Sequence, residues 1–239
     1  MRICVSGTIS MGKSTYVNDF CKSWPMYTNA ELTYRNILKE KNLPHSTKGT
    51  AETQTIIRDA IIDDIQKYKR DDHVIFDRGL LDNLAYTLYL NDKGIVNDDY
   101  VRDTIPIIRE GLGYYDIIFF VPMLDAYKVE LENNDKGGAR DINPVFREEH
   151  DTILKELQRC YLTPKEKLTF FPDRDCPAII EIFGSPKERI ELSKFYINPK
   201  GDAFGEDESL IINPFEKKGP QISIESAADL PVDLTQTYE

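Results

Sequence analysis

Five short apolar runs punctuate the chain: RICVS at 2–6, the weaker PMYT at 25–28, HVIFD at 73–77, DIIFFV at 116–121 and AIIEIF at 178–183. Four are continuous rather than alternating, the pattern of strands covered on both faces. Helical periodicities lie between them. Ile57, Ile61, Ile65 and Tyr68 share one helix face, and Leu80, Leu81, Leu84, Ala85 and Leu88 share another. Strands that alternate with helices predict an α/β fold, a parallel sheet wrapped by helices on both sides. The stretch ENNDKGGARDINP at 132–144 has no apolar stripe and reads as an exposed, mobile loop. From 197 to 239 the chain carries Pro199, Pro214, Pro220 and Pro231 with little periodicity, the pattern of an extended or partly disordered tail. One domain over 1–196 and a tail over 197–239 are therefore expected, with no internal repeat.

Composition changes this picture little. The 239 residues suffice for one α/β domain with a full core, and 41% hydrophobic with 30% charged residues is ordinary for a globular chain. The net charge of -11 argues against broad adhesion to nucleic acid or to anionic lipid. The tail exaggerates this acidity, with nine acidic residues against three lysines. Cys4, Cys21, Cys160 and Cys176 form no Cys-x-x-Cys pair and the three histidines are scattered, which indicates reduced thiols rather than a zinc site or a disulfide framework. With no signal-peptide pattern and no apolar run of membrane-spanning length, the expected location is the cytoplasm.

The chemistry begins with GTISMGKST at 7–15, directly after the first strand. Gly7, Gly12, Lys13 and Ser14 complete the phosphate-loop pattern G-x-x-x-x-G-K-[ST], with Thr15 behind. The glycines let backbone N–H groups turn inward, and the following helix adds its positive end. Lys13 can reach β and γ phosphates, and the Ser14 hydroxyl is placed to ligate Mg²⁺. Gly7, Met11, Gly12, Lys13, Ser14 and Thr15 are thus the expected nucleotide-binding residues.

A loop that holds phosphates does not say what happens to them. HVIFDRG at 73–79 ends a buried strand in Asp77, well placed to hold Mg²⁺ with Ser14. The next residue is Arg78 where hydrolytic motors often carry a second acid. A guanidinium steadies a phosphoryl group but cannot activate water. The chain also lacks an Asn-Lys-x-Asp segment for reading guanine. Arg140 and Arg147, in and after the glycine-rich loop, suit a flap that excludes water and neutralises a transferring phosphoryl. In NAELTYRNI at 29–37, Glu31, Tyr34 and Arg35 fall where a doubly wound sheet opens its crevice, and Glu31 is a candidate base for an acceptor hydroxyl.

With these segments in view, the chain resembles the P-loop nucleoside and nucleotide kinases, AAA-like, and within them the NadR-type nicotinamide riboside kinase group and its phage-encoded relatives. The resemblance runs from about Arg2 to Phe195 and rests on GTISMGKST, ELTYR, VIFDRGLLDNLAY, YYDIIFFVP, GGARDINPVFREEHDTI and IIEIFGSPKERI. It implies a three-layer α/β/α P-loop fold: a five-stranded parallel sheet centred on the phosphate-loop strand, with an arginine-bearing lid at about 132–150. It places Gly184, Ser185, Pro186 and Arg189 near the adenine. Lys13 and Ser14 take the phosphate and metal roles, Arg78 the acceptor or transition-state role, Arg140 and Arg147 the lid role, and either Glu31 or Asp77 serves as base. The lid reads GGARD where similar kinases often carry an acid before the glycine, and the tail has no counterpart.

The function expected is ATP- and Mg²⁺-dependent transfer of a γ-phosphoryl group to a nucleoside, a nucleoside monophosphate or a similar small hydroxylated acceptor. Two other readings stay open: a kinase of a modified base within DNA, and a nucleotide-binding regulatory module without catalysis. KYKR at 67–70 is too short a basic path to argue for DNA. No membrane partner is expected, and self-association into a homodimer stays open.

Overall fold

The computed structural model describes residues 1–44, 46–124 and 143–204, without the side chains of Arg35 and Ser46. The five apolar runs become five strands: β1 (Arg2–Gly7), β2 (Thr28–Asn29), β3 (Val74–Asp77), β4 (Ile117–Val121) and β5 (Ala178–Glu181). They form one parallel sheet in the order β2-β3-β1-β4-β5, so the phosphate-loop strand lies at its centre. Every residue of β1 and β4 is buried, as their continuous apolar sequences require. β2 is two residues long and pairs only with β3, a short edge strand at the end of the run PMYT.

The helices among the described residues are α1 (Lys13–Ser23), α2 (Tyr34–Glu40), α3 (Ala51–Ile65), α4 (Leu80–Asp92), α5 (Asp98–Leu112), α6 (Pro144–Leu162), α7 (Pro164–Phe170) and α8 (Pro186–Ser193). Their starts are written locally. Thr33, Thr50, Asn97, Asn143 and Ser185 each accept a backbone N–H at the N-cap of α2, α3, α5, α6 and α8. α3 ends at Ile65, so Tyr68 lies past the helix on whose face the periodicity put it; its ring still packs edge-on against Phe76. None of these helices is long and apolar enough to cross a membrane.

Strand alternation divides the core. Ile3 and Val5 of β1 point with Phe119 and Val121 toward Tyr16, Val17 and Phe20 of α1 and Ile190 of α8. Cys4 points the other way, with Phe76, Ile118 and Phe120, into the layer built by α3 to α7. Three layers result, and the carboxyl ends of β1, β3 and β4 open at one edge.

The opposite edge is closed by chain that the sequence suggested would be extended. Ile197 bridges to Ala203, the Trp24 indole donates to the Asn198 carbonyl at 2.8 Å, and the Tyr27 hydroxyl donates to that of Gly201 at 2.6 Å. Gly201 has φ +85°, and a Cβ there would lie 3.0 Å from both Met26 and Tyr27. Residues 197–204 are therefore packed on the domain, and the rest of the expected tail lies outside the described residues.

Phe20 binds this edge together, with ring centroids 4.5 Å from Trp24, 5.0 Å from Tyr27 and 6.0 Å from Phe119. Phe20→Ala is expected to lower unfolding stability by about 3–5 kcal/mol, read from urea denaturation followed by fluorescence.

Candidate functional site

The loop between β1 and α1 owes its shape to three residues in the left-handed region: Gly7 at φ 142°, Ser10 at 62° and Gly12 at 77°. A Cβ on Gly7 would lie 2.3 Å from the Val121 carbonyl oxygen, so β4 leaves room only for glycine. Such alternation turns successive N–H groups to one side and builds an anion cradle. Lys13, the first residue of α1, lies 5% exposed with Nζ donating to the carbonyls of Gly7 at 2.7 Å and Thr8 at 2.6 Å. Burial first, and then the Arg78 charge, push its ammonium down to about 7. Ser14 and Thr15 follow on the exposed side.

The Ser14 hydroxyl donates to Asp77 Oδ2 at 2.5 Å. These are two hard oxygen donors from the loop and from the end of β3, side by side and open to water, and they fit a Mg²⁺ ion that keeps several of its own waters.

Arg78 adopts φ 80°, uncommon for a non-glycine residue and a strain that the surroundings must hold. Asp82 holds it. From the first turn of α4, this 1% exposed carboxylate accepts from Arg78 Nη1 at 2.9 Å, from Gly79 N at 3.3 Å and from Gly7 N at 3.4 Å. Burial works against the Arg78 charge, but Tyr86, Asp82 and Asp77 outweigh it and its pKa is raised. Its guanidinium also lies 5.8 Å from the ring centroid of Tyr34, which stacks on Tyr86.

α6 closes the site from the other side. Arg147 Nε donates to the Ile9 carbonyl at 3.3 Å, with Nη2 3.8 Å from Met11 Sδ. Asp151, one turn on, accepts from the Thr8 hydroxyl at 2.6 Å and from Met123 N at 2.9 Å, and pairs with Lys155 at 2.7 Å. Arg189 of α8 reaches the loop from the third direction, donating to the Met11 carbonyl at 2.5 Å. Gly184 at φ 90°, Ser185 and Pro186 turn the chain from β5 into that helix.

Lys13, Ser14, Asp77, Arg78, Arg147 and Arg189 thus converge on Gly7, Met11 and Gly12. Glu31 does not join them: it is exposed at the end of β2, where its backbone meets the Tyr68 hydroxyl. Arg140, with the first part of the expected lid, lies outside the described residues, as does the side chain of Arg35. Sequence reasoning missed Asp82, His150 and Asp151. Asp82 had a signal, an acid four positions after Arg78 at a helix start; the other two are ordinary polar positions on a helix.

A phosphate loop at the centre of this sheet, faced by a strand-end Asp-Arg pair and an arginine-bearing helix, defines a P-loop fold of the nucleoside-kinase kind. A family model described as an AAA domain matches residues 2–178, and the chain belongs to that family. No curated protein matches it significantly in sequence. Among solved structures it is similar to NadR protein in complex with NR, with TM-score 0.57 and 15% identity over 82% of this chain and 51% of that one. It spans about half the length of that NadR chain. It is also similar to deoxyadenosine kinase from M. mycoides with products dCMP and dCDP, with TM-score 0.56 and 17% identity over 81% of this chain and 96% of that one.

Two measurements test the geometry. Asp82→Ala strands the Arg78 charge and is expected to cost about 3–5 kcal/mol of unfolding free energy in urea. For Lys13, whose folded pKa is lowered, the unfolded chain binds more protons than the folded one between pH of about 7 and the usual lysine value of about 10.4. Below that window the buried charge costs stability, and the cost fades as pH rises through it. Lys13→Met should therefore be more stable than wild type at pH 6, with the difference vanishing toward pH 10.

Proposed function

We propose that the protein is an ATP- and Mg²⁺-dependent phosphotransferase that moves the γ-phosphoryl group to a hydroxyl of a nucleoside, a nucleoside monophosphate or a similar small acceptor. The observation that carries this reading is Arg78: a guanidinium, not a second acid, follows Asp77, and Asp82 fixes it at the mouth of the loop. A water-activating carboxylate is not at that position, while a group able to steady an equatorial phosphoryl oxygen is. The two similar structures, one holding NR and the other dCMP and dCDP, support an acceptor of small-molecule size.

The chain's own residues then divide the work. The loop amides cradle the phosphates, and Lys13 leaves the carbonyls of Gly7 and Thr8 for the β and γ oxygens. Ser14 and Asp77 would hold Mg²⁺, which would supply neutralisation of the phosphate charge. Arg78 and Arg147 balance the charge that spreads over the transferring group. Arg140 takes the remaining lid role, and Arg189 backs the loop on the donor side. Glu31 takes the proton from the acceptor hydroxyl: Asp77 is engaged by Ser14, whereas Glu31 is exposed on the lip of the next strand and can be drawn in as the acceptor binds.

Transfer of labelled γ-phosphate, screened over nucleosides, monophosphates, nicotinamide riboside and DNA, should give a labelled small-molecule product. Inorganic phosphate as the sole product across the whole screen would sink the reading. Arg78→Ala should lower kcat by about 10²–10³-fold, and Glu31→Gln by about 10²-fold with ATP binding retained.

A further inference from the structure

His150 sits one turn along α6 from Arg147, fully buried, its ring centroid 4.4 Å from that of Tyr86 and 5.8 Å from that of Phe146. Among the described residues neither Nδ1 nor Nε2 has a hydrogen-bond partner. A neutral imidazole carries one N–H and one lone pair, and leaving both dry costs stability. A leucine or phenylalanine side chain would fill the same space between the rings without that cost. The nitrogens therefore do nothing for the ligand-free fold.

Their surroundings point to what they are for. Besides burial, the groups that hold the ring in its neutral form are Arg78 and Lys13, the two cations that converge on the phosphate loop from β3 and α1. The residues flanking His150 on the inward face of α6 already touch that loop, Arg147 at Ile9 and Asp151 at Thr8. An oxyanion drawn between Lys13 and Arg78 would thus meet a helix face on which this imidazole, among the described residues, has no partner of its own. Neutral, the ring retains one N–H for the anion and one lone pair.

We propose that His150 donates its ring N–H to the phosphoryl group held between Lys13 and Arg78, a bond made only when a triphosphate fills the loop, so that His150 distinguishes triphosphate from diphosphate. The proposal rests on the phosphotransferase reading only in naming that group as the one transferred.

The test is binding of Mg²⁺ with AMP-PNP or with ADP, by calorimetry, together with thermal unfolding of the ligand-free protein. His150→Leu is expected to raise the ligand-free Tm by about 2–4 °C. It should weaken AMP-PNP by about tenfold while changing ADP by less than twofold. His150→Gln, whose amide keeps an N–H, should recover most of the preference for AMP-PNP. Equal losses for both nucleotides in folded His150→Leu, or no loss for either, would overturn the assignment, as would a wild type without the preference. His150→Phe keeps a ring against Tyr86 and serves if the leucine variant does not fold. Failure of both to fold overturns it too, because the imidazole would then be holding the fold. Since the readout is binding, a chain that transfers phosphate to no acceptor yet shows this His150-dependent preference would defeat the kinase reading and leave this one standing.

Discussion

One buried carboxylate organises the site. Asp82 accepts from the backbone of Gly7 at the end of β1, from the backbone of Gly79 at the start of α4, and from the guanidinium of Arg78 between β3 and that helix. Removed from water, it is stable only because two N–H groups and a full positive charge replace its hydration. The exchange runs in both directions. Without it the left-handed backbone at Arg78 would relax, the guanidinium would lose its aim, and the first glycine of the phosphate loop would lose a tie to α4. The Ser14–Asp77 pair, the phosphate loop and Arg78 are set in one frame because they share this anchor.

A second feature joins the frame to its flanking helices. The rings of Tyr34, Tyr86 and His150 form a column from α2 through α4 to α6, with adjacent centroids 5.7 Å and 4.4 Å apart. The first pair is stacked at 15° and the second tilted at 46°. α6 is tied to the loop at polar points, Arg147 and Asp151 among them, and seated on the core through Leu154 and Leu157. The helix that carries Arg147 is thereby joined through these rings to the helix that follows Glu31.

The fold was legible because its signals are local. Strands buried on both faces appear as unbroken apolar runs, and β1, β3, β4 and β5 lie within the runs that announced them or extend them by one residue. β2 was faint because an edge strand with one neighbour needs few apolar positions. The phosphate loop and the Asp-Arg pair were legible because each is contiguous in sequence. Asp151 was not, since its partner Thr8 lies 143 positions away, and Asp82 carried a signal only for its local partners, not for Gly7, 75 positions away. His150 left no trace at all: an imidazole without partners looks in sequence like any polar residue on a helix. The docking of residues 197–204 escaped notice because two backbone carbonyls and a tight glycine, rather than an apolar stripe, fasten that segment.

That segment also fixes the polarity of the molecule. Ala203 N lies 3.3 Å from Met1 Sδ, so the beginning of β1 and the exit of the described chain share one pole, while the phosphate loop occupies the other end of the same strand. Six residues of strand separate the two, about 20 Å. A label, tether or fused partner attached beside Met1 or after Phe204 therefore starts on the face turned away from the chemistry, and a surface-anchored molecule would present its loop outward to solution.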